Sequence, residues 1–228
     1  SGLTWNFGVD QLRGENPNGV WQLQVVDTSA GNRNVQTVKI DAYGSYATTQ
    51  DVYTYTDELA AVVAATGQAS RLVMNDSVGD NWFNGATLTG NLQLNMNPGT
   101  ASTLNGAAFI STSATNRLIG AIGTDAQDLI NGNALDNRIY GMRDDDSLNG
   151  KSGNDLINGG KGADVLDGRD GIDTVDYAGS TAGVFIDLSA PIVADRARGG
   201  DAEGDFLIAN VPSGDNTFEN VNGSDHED

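Results

Sequence analysis

Apolar side chains in the middle of this chain come singly and at a fixed interval. Across residues 123–176 they fall on every ninth position: Ile130, Ile139, Leu148, Ile157, Leu166 and Val175. In the same phase stand the glycines Gly123, Gly132, Gly141, Gly150, Gly159 and Gly168. An acid or amide follows each of them five residues on, at Asp128, Asn137, Asp146, Asp155, Asp164 and Asp173. The block divides into six nonapeptides: GTDAQDLIN, GNALDNRIY, GMRDDDSLN, GKSGNDLIN, GGKGADVLD and GRDGIDTVD. Glycine makes up 30 of 228 residues, so such phasing by chance is on the order of one in 100,000. The first six residues of each unit predict a turn opened by glycine, and the last three a short strand with one inward apolar side chain. Two units make one coil, so strands alternate between two short parallel sheets and turns stack in two columns.

Elsewhere the period changes. Residues 20–26 alternate, with Trp21, Leu23 and Val25 on one face, and Val38, Ile40 and Ala42 repeat the pattern. With turn residues at 15–19 and 27–34, this predicts antiparallel strands. Residues 57–65 predict a helix, capped by Thr56 or Asp57, with Glu58 in its first turn and Gly67 stopping it. Short apolar runs at 72–74, 86–88, 92–96 and 107–110 read as strands of a cap or of early coils, and 184–188 as a further strand. The expected class is all-β: a parallel solenoid, a β-rich cap with one short helix, and an incomplete antiparallel sandwich segment. The expected divisions are 1–48, 49–122, 123–176 and 177–228. The first is too short to bury a core alone, which makes the chain an expected piece of a longer protein.

Charge sharpens this picture. The net charge is −19, and it is uneven: residues 1–122 carry 9 acidic and 5 basic side chains, 123–176 carry 12 and 5, and 177–228 carry 10 and 2. Such a balance argues against nucleic acid and anionic membranes as partners. No apolar run approaches a membrane span, and with no cysteine there are no disulfides. Stacking brings Asp128 to Asp146, Asp146 to Asp164, and Asp155 to Asp173, with Asn137 beside Asp155 as a weaker gap. Bare, such columns repel, and one aliphatic residue per nonapeptide does not offset the ordering entropy. A hard dication with oxygen ligands relieves both problems. Calcium suits the site better than magnesium, which keeps its waters, or zinc, which wants His or Cys. The favoured positions are Asp146, Asp155, Asp164 and Asp173, with Asp128 next. Asp201, Glu203 and Asp205 alternate in GGDAEGDFL and form a further candidate, whereas Asp76 and Asp80 read as an Asx turn.

The nonapeptides resemble the RTX (hemolysin-type) calcium-binding repeat, G-G-x-G-x-D-x-U-x. The resemblance implies a parallel β-roll that binds calcium through the sixth-position residues and the turn glycines Gly150, Gly159, Gly160, Gly162 and Gly168. Second-position glycine survives only at Gly160, and fourth-position glycine only at Gly153, Gly162 and Gly171, so the first three units are degenerate. RGENPNGVWQLQVVDTSAG followed by VKIDAYGS resembles the end of the P domain (Homo B) of kexin- and furin-like subtilisin proteases. NRLIGAIGTDAQDLING resembles the serralysin-like C-terminal region that leads into such a roll. GGDAEGDFL resembles a connector between RTX blocks, and FENVNGSDHED the lead-in to another.

Catalysis finds no foothold. The one histidine is His226, and H-E-x-x-H is absent. The resemblances together imply the non-catalytic calcium-binding region of a secreted bacterial subtilisin-like protease. Its expected partners are calcium ions, the parent protease and a type I secretion apparatus. Two rivals stay open: an RTX adhesin or carbohydrate-binding module, and the accessory domain of a serralysin-type metalloprotease.

Overall fold

The computed structural model describes residues 50–188, 197–208 and 217–227. The strands expected within residues 1–48 lie outside these. In chain order, β1 (Val52–Thr56) leads to the helix α1 (Leu59–Thr66) and a 3-10 turn (Ala69–Leu72). Then come β2 (Val73–Met74), β3 (Asn81–Thr87), β4 (Leu92–Asn95), β5 (Ala101–Leu104), β6 (Ala107–Thr112) and β7 (Leu118–Ile122). The nonapeptides supply β8 (Leu129–Asn131), β9 (Arg138–Arg143), β10 (Ser147–Ser152), β11 (Leu156–Lys161), β12 (Val165–Asp170) and β13 (Thr174–Asp176). Beyond them lie β14 (Phe185–Ile186), β15 (Ala197–Arg198), β16 (Phe206–Leu207) and β17 (Asn220–Asn222).

Successive units do feed opposite sheets. One sheet runs β1-β3-β7-β9-β11-β13-β17, and the other β16-β12-β10-β8-β4-β5-β6-β2. Pairing within the repeats is parallel and keeps phase: Ser147 pairs with both Leu129 and Val165, and Leu156 with both Arg138 and Thr174. Side chains alternate across a strand, so this register aims every eighth-position residue at the gap between the sheets. Ile130, Ile139, Ile157, Leu166 and Val175 are all 0% exposed, and Leu148 is 1%.

Residues 50–122 continue the same solenoid. Phe83 pairs with Ala121 and Tyr53 with Phe83, while Leu94 pairs with Ile130 in the opposite sheet. Here the core side chains are larger. Tyr55 stacks on Phe83 with ring centroids 5.3 Å apart, and Phe109 meets Tyr55 edge-on at 5.6 Å. The antiparallel run β4-β5-β6 thickens one sheet at this end. The helix begins later than its composition predicts. Its N-cap is Glu58, without a side-chain cap, because Asp57 turns away to accept the N–H and Oγ1 of Thr89 at 3.0 and 2.6 Å. Gly67 ends it at φ 67.

After Asp176 the chain leaves the roll and rejoins it twice. β16 adds to β12 with Leu207 beside Leu166, and β17 adds to β13 with Val221 beside Val175. Of the strand expected at 184–188, only Phe185–Ile186 is formed, paired antiparallel with Ala197–Arg198.

Candidate metal centre

Apart from Asn137, each sixth-position side chain is tied to the turn before it. The backbone N–H of Asp128 donates to Asp146 Oδ1 at 2.8 Å, and that of Asp146 to Asp164 Oδ1 at 2.8 Å. In the other column Asn137 N–H donates to Asp155 Oδ1 at 2.7 Å, and Asp155 N–H to Asp173 Oδ1 at 2.8 Å. One carboxylate oxygen of each aspartate is thus spent on holding the stack. The other is left over. Oδ2 of Asp146, Asp155, Asp164 and Asp173 is buried with no hydrogen-bond partner, a costly condition for a charged group unless something else satisfies it.

Those four oxygens face the first-position glycine of their own unit. A Cβ on Gly141 would strike Asp146 Oδ2 and the carbonyl oxygen of Gly159, and one on Gly150 would strike Asp155 Oδ2 and the carbonyl oxygen of Gly168. Only glycine leaves room for a carboxylate and a carbonyl from the next turn to converge there. Among the six nonapeptides, left-handed backbone is confined to the same four. At the second position φ is 100 for Met142, 82 for Lys151, 100 for Gly160 and 75 for Arg169. At the fourth it is 66 for Asp144, 117 for Gly153, 150 for Gly162 and 149 for Gly171. Non-glycine residues there are strained by roughly 1–2 kcal/mol each, and such strain persists where the surroundings over-determine it.

Units one and two close their turns differently. The N–H of Thr124 donates to Asp128 Oδ2 at 2.6 Å, and its Oγ1 donates to Asp128 Oδ1 at 3.0 Å. Leu92 N–H takes Asp128 Oδ1 as well, at 2.8 Å. Asn133 N–H donates to Asn137 Oδ1 at 2.8 Å, and Asn137 Nδ2 donates back to Asn133 Oδ1 at 3.3 Å. Asp128 and Asn137 stand in the columns, but their oxygens are already taken by protein donors. The sign of this in the sequence is a polar second-position side chain, whose oxygen accepts the fourth-position N–H (Ala126 and Leu135).

Electrostatics mark the same group, together with Asp205, which burial raises to about 7. Burial pushes Asp146 up to about 8, with Asp128 and Asp164 adding repulsion. Burial likewise raises Asp155 to about 7, and Asp164 and Asp173 to about 6. Among the described residues no three histidine, cysteine or acidic side chains converge so as to hold a metal ion by themselves. A cation here would therefore complete its shell with turn carbonyls, as calcium, with about six to eight oxygen ligands, readily does. Buried unpartnered carboxylates, carbonyl-lined glycine cradles and the absence of cysteine all fit that ion.

The remaining candidates separate. Asp205 takes Asp164's place in the next turn, its Oδ1 accepting Asp164 N–H at 2.9 Å, but its Oδ2 is held by the Tyr177 hydroxyl at 2.6 Å. Asp201 N–H is held by Ser180 Oγ, and Glu203 accepts Gly199 N–H. Asp76 makes the expected Asx turn to Val78 N–H and also takes the Tyr53 hydroxyl, while Asp80 pairs with Arg117. A second ladder escaped the sequence reading: Asn154 N–H donates to Asp136 Oδ1, Ile172 N–H to Asn154 Oδ1, and Ala163 N–H to Asp145 Oδ1. Its fifth positions are too mixed in type to stand out.

Comparison with known families agrees with the geometry. The model of the RTX calcium-binding nonapeptide repeat (4 copies) matches residues 122–157 and 140–175. The proprotein convertase P-domain model matches residues 1–43. No curated protein matches the chain. The chain therefore carries RTX calcium-binding nonapeptide repeats, wound as a parallel β-roll, with proprotein convertase P-domain sequence ahead of them.

Proposed function

We propose that this chain is the non-catalytic, calcium-dependent region of a secreted bacterial subtilisin-like (kexin/furin-type) serine protease, whose roll folds outside the cell and supports type I secretion. Two things support the protease: the P-domain match at 1–43 and the RTX match further along the chain, from residue 122. The observation that carries the calcium role is the set of four buried, unpartnered Oδ2 atoms on Asp146, Asp155, Asp164 and Asp173.

These four aspartates would hold the ion, together with turn carbonyls drawn from Gly150, Gly159, Gly160, Gly162 and Gly168. When bound, calcium supplies positive charge among oxygens that otherwise repel. Without it, the four carboxylates must either ionise against one another or take up protons, and strained residues such as Met142 and Lys151 have nothing to offset their cost. Extracellular calcium modules bind at roughly 10⁻⁴–10⁻³ M, so binding free energy becomes folding free energy only outside the cytosol. Circular dichroism and gel filtration test this. Calcium should raise strand content and shrink the hydrodynamic radius relative to chelator, while magnesium does little. A chelated sample as compact as the calcium-loaded one defeats the proposal.

One observation favours the adhesin or carbohydrate-binding reading. Trp82 and Tyr140 stack with centroids 6.2 Å apart on one sheet. The Trp82 ring lies over Gly120, where a Cβ would collide with it. Retention of the calcium-loaded chain on a polysaccharide column, lost in Trp82→Ala, would support that reading.

A further inference from the structure

At the end of the solenoid that follows the P-domain sequence, both sheets finish, one at β1 and the other at β2. The chain crosses between them through α1 and the 3-10 turn. Residues 59–70, LAAVVAATGQAS, carry no charge, although 19% of the chain is charged. Leu59 packs against the core, as Tyr53 does on β1. The rest of the helix is turned outward: Ala60, Ala61, Val62, Ala64 and Ala65 are exposed. A surface helix ordinarily sets a polar stripe toward solvent, and one that is apolar on every side is a helix that something covers. The apolar surface also extends past the helix in both directions along the chain. Val52 on β1 is 43% exposed, Val62 on α1 38% and Val73 on β2 41%.

The sequence ahead of this surface has the complementary need. Trp21, Leu23 and Val25 share one face of an alternating run, and Val38, Ile40 and Ala42 share another. Residues 1–48 are too few to bury two such faces among themselves. The P-domain match ends at residue 43, so the eight residues 44–51 join it to Val52. Fully extended, that stretch reaches about 27 Å. A tether this short holds the two surfaces at an effective concentration of roughly millimolar. Charge does not oppose their contact. Residues 1–48 carry 4 acidic and 3 basic side chains, a near balance found nowhere in the acidic coils.

We infer that residues 1–48 dock on this end of the roll, with their apolar faces over α1 and the exposed valines of β1 and β2. The P-domain sequence is then packed on the solenoid and not merely strung to it.

Chymotrypsin digestion of the full chain in saturating calcium, read at Trp21 and Leu23, tests the inference, with gel filtration alongside. Wild type should be cut slowly there, and both Val62→Lys and Val52→Lys about tenfold faster. Lysine is a strong helix former, and at 62 it stands one turn after Glu58, so α1 itself survives the change. Circular dichroism should show the same strand content and calcium midpoint in both variants as in wild type. Leu129→Lys, the same kind of change at a 40% exposed site on β8, should be cut as wild type is. Rapid cutting of the wild type overturns the inference, as does wild-type protection that either valine variant leaves intact. Faster cutting in Leu129→Lys as well overturns it as a general charge effect. A wild type that elutes as a dimer, made monomeric by Val62→Lys, overturns it too by giving the surface to a second copy.

Discussion

At the scale of single residues, two aspartates of similar position in their turns carry different duties. Asp164 is 0% exposed with an unpartnered Oδ2, whereas Asp136 is exposed and accepts the Asn154 N–H at 2.7 Å. Asp164→Ala should raise the calcium concentration at half-folding by about tenfold or more, because it deletes charge from the column. Asp136→Ala should cost about 1 kcal/mol through its lost hydrogen bond and leave that midpoint nearly unchanged. Calcium titrations followed by circular dichroism, paired with urea melts in saturating calcium, separate the two effects. The phase of Asp164 was legible in the sequence, since glycine, aspartate and leucine recur around it at fixed spacing. The burden on Asp136 was not, because a fifth-position hydrogen bond leaves no consistent residue type behind.

At the scale of elements, the six nonapeptides contain two kinds of turn. Units one and two are closed by Thr124 and Asn133, and they pack on a core that includes Phe83, Tyr55 and Leu94. Units three to six have left-handed second and fourth positions and open carboxylates. Chelation should therefore strip amide protection from residues 141–176 while residues 81–140 keep most of theirs, as hydrogen exchange with mass spectrometry would record. Uniform loss along the whole solenoid would refute the division. The degenerate character of the early units was readable from their missing glycines, but its meaning was not. Thr124 and Asn133 matter because their N–H groups reach back to Asp128 and Asn137, a contact set by the fold of the turn. Asp205 has a partner that its string does not show. Read from its string it is one more acid in an acidic connector, yet Tyr177, 28 residues earlier, occupies its free oxygen.

At the scale of the whole molecule, the net charge is −19, with 12 acidic against 5 basic side chains in the nonapeptides and 10 against 2 after them, and pH becomes a second control on stability. The carboxyls of Asp146, Asp155, Asp164 and Asp173 are raised by burial from 3.8 to about 8, 7, 6 and 6. Between those values and 3.8 the calcium-free folded chain binds more protons than the unfolded one, so its stability falls as pH rises from about 4 to 8. In chelator the protein should melt higher at pH 5 than at pH 8. In saturating calcium the order should reverse, since protons compete with the ion for the same oxygens. Thermal melts at the two pH values in each condition check both signs. Equal melting temperatures in chelator would count against buried carboxyls as the source of instability.

The chain's departure at Tyr177 and its return at Asp205 keep the stack in register although the residues between them form no repeat. What that junction holds is a phenol at the exit and an aspartate at the re-entry, with Val184, Ala197 and Ala202 buried between them. The excursion is thus seated on the coil in its own right, so unrepeated sequence rides on the flank without putting the stack out of step.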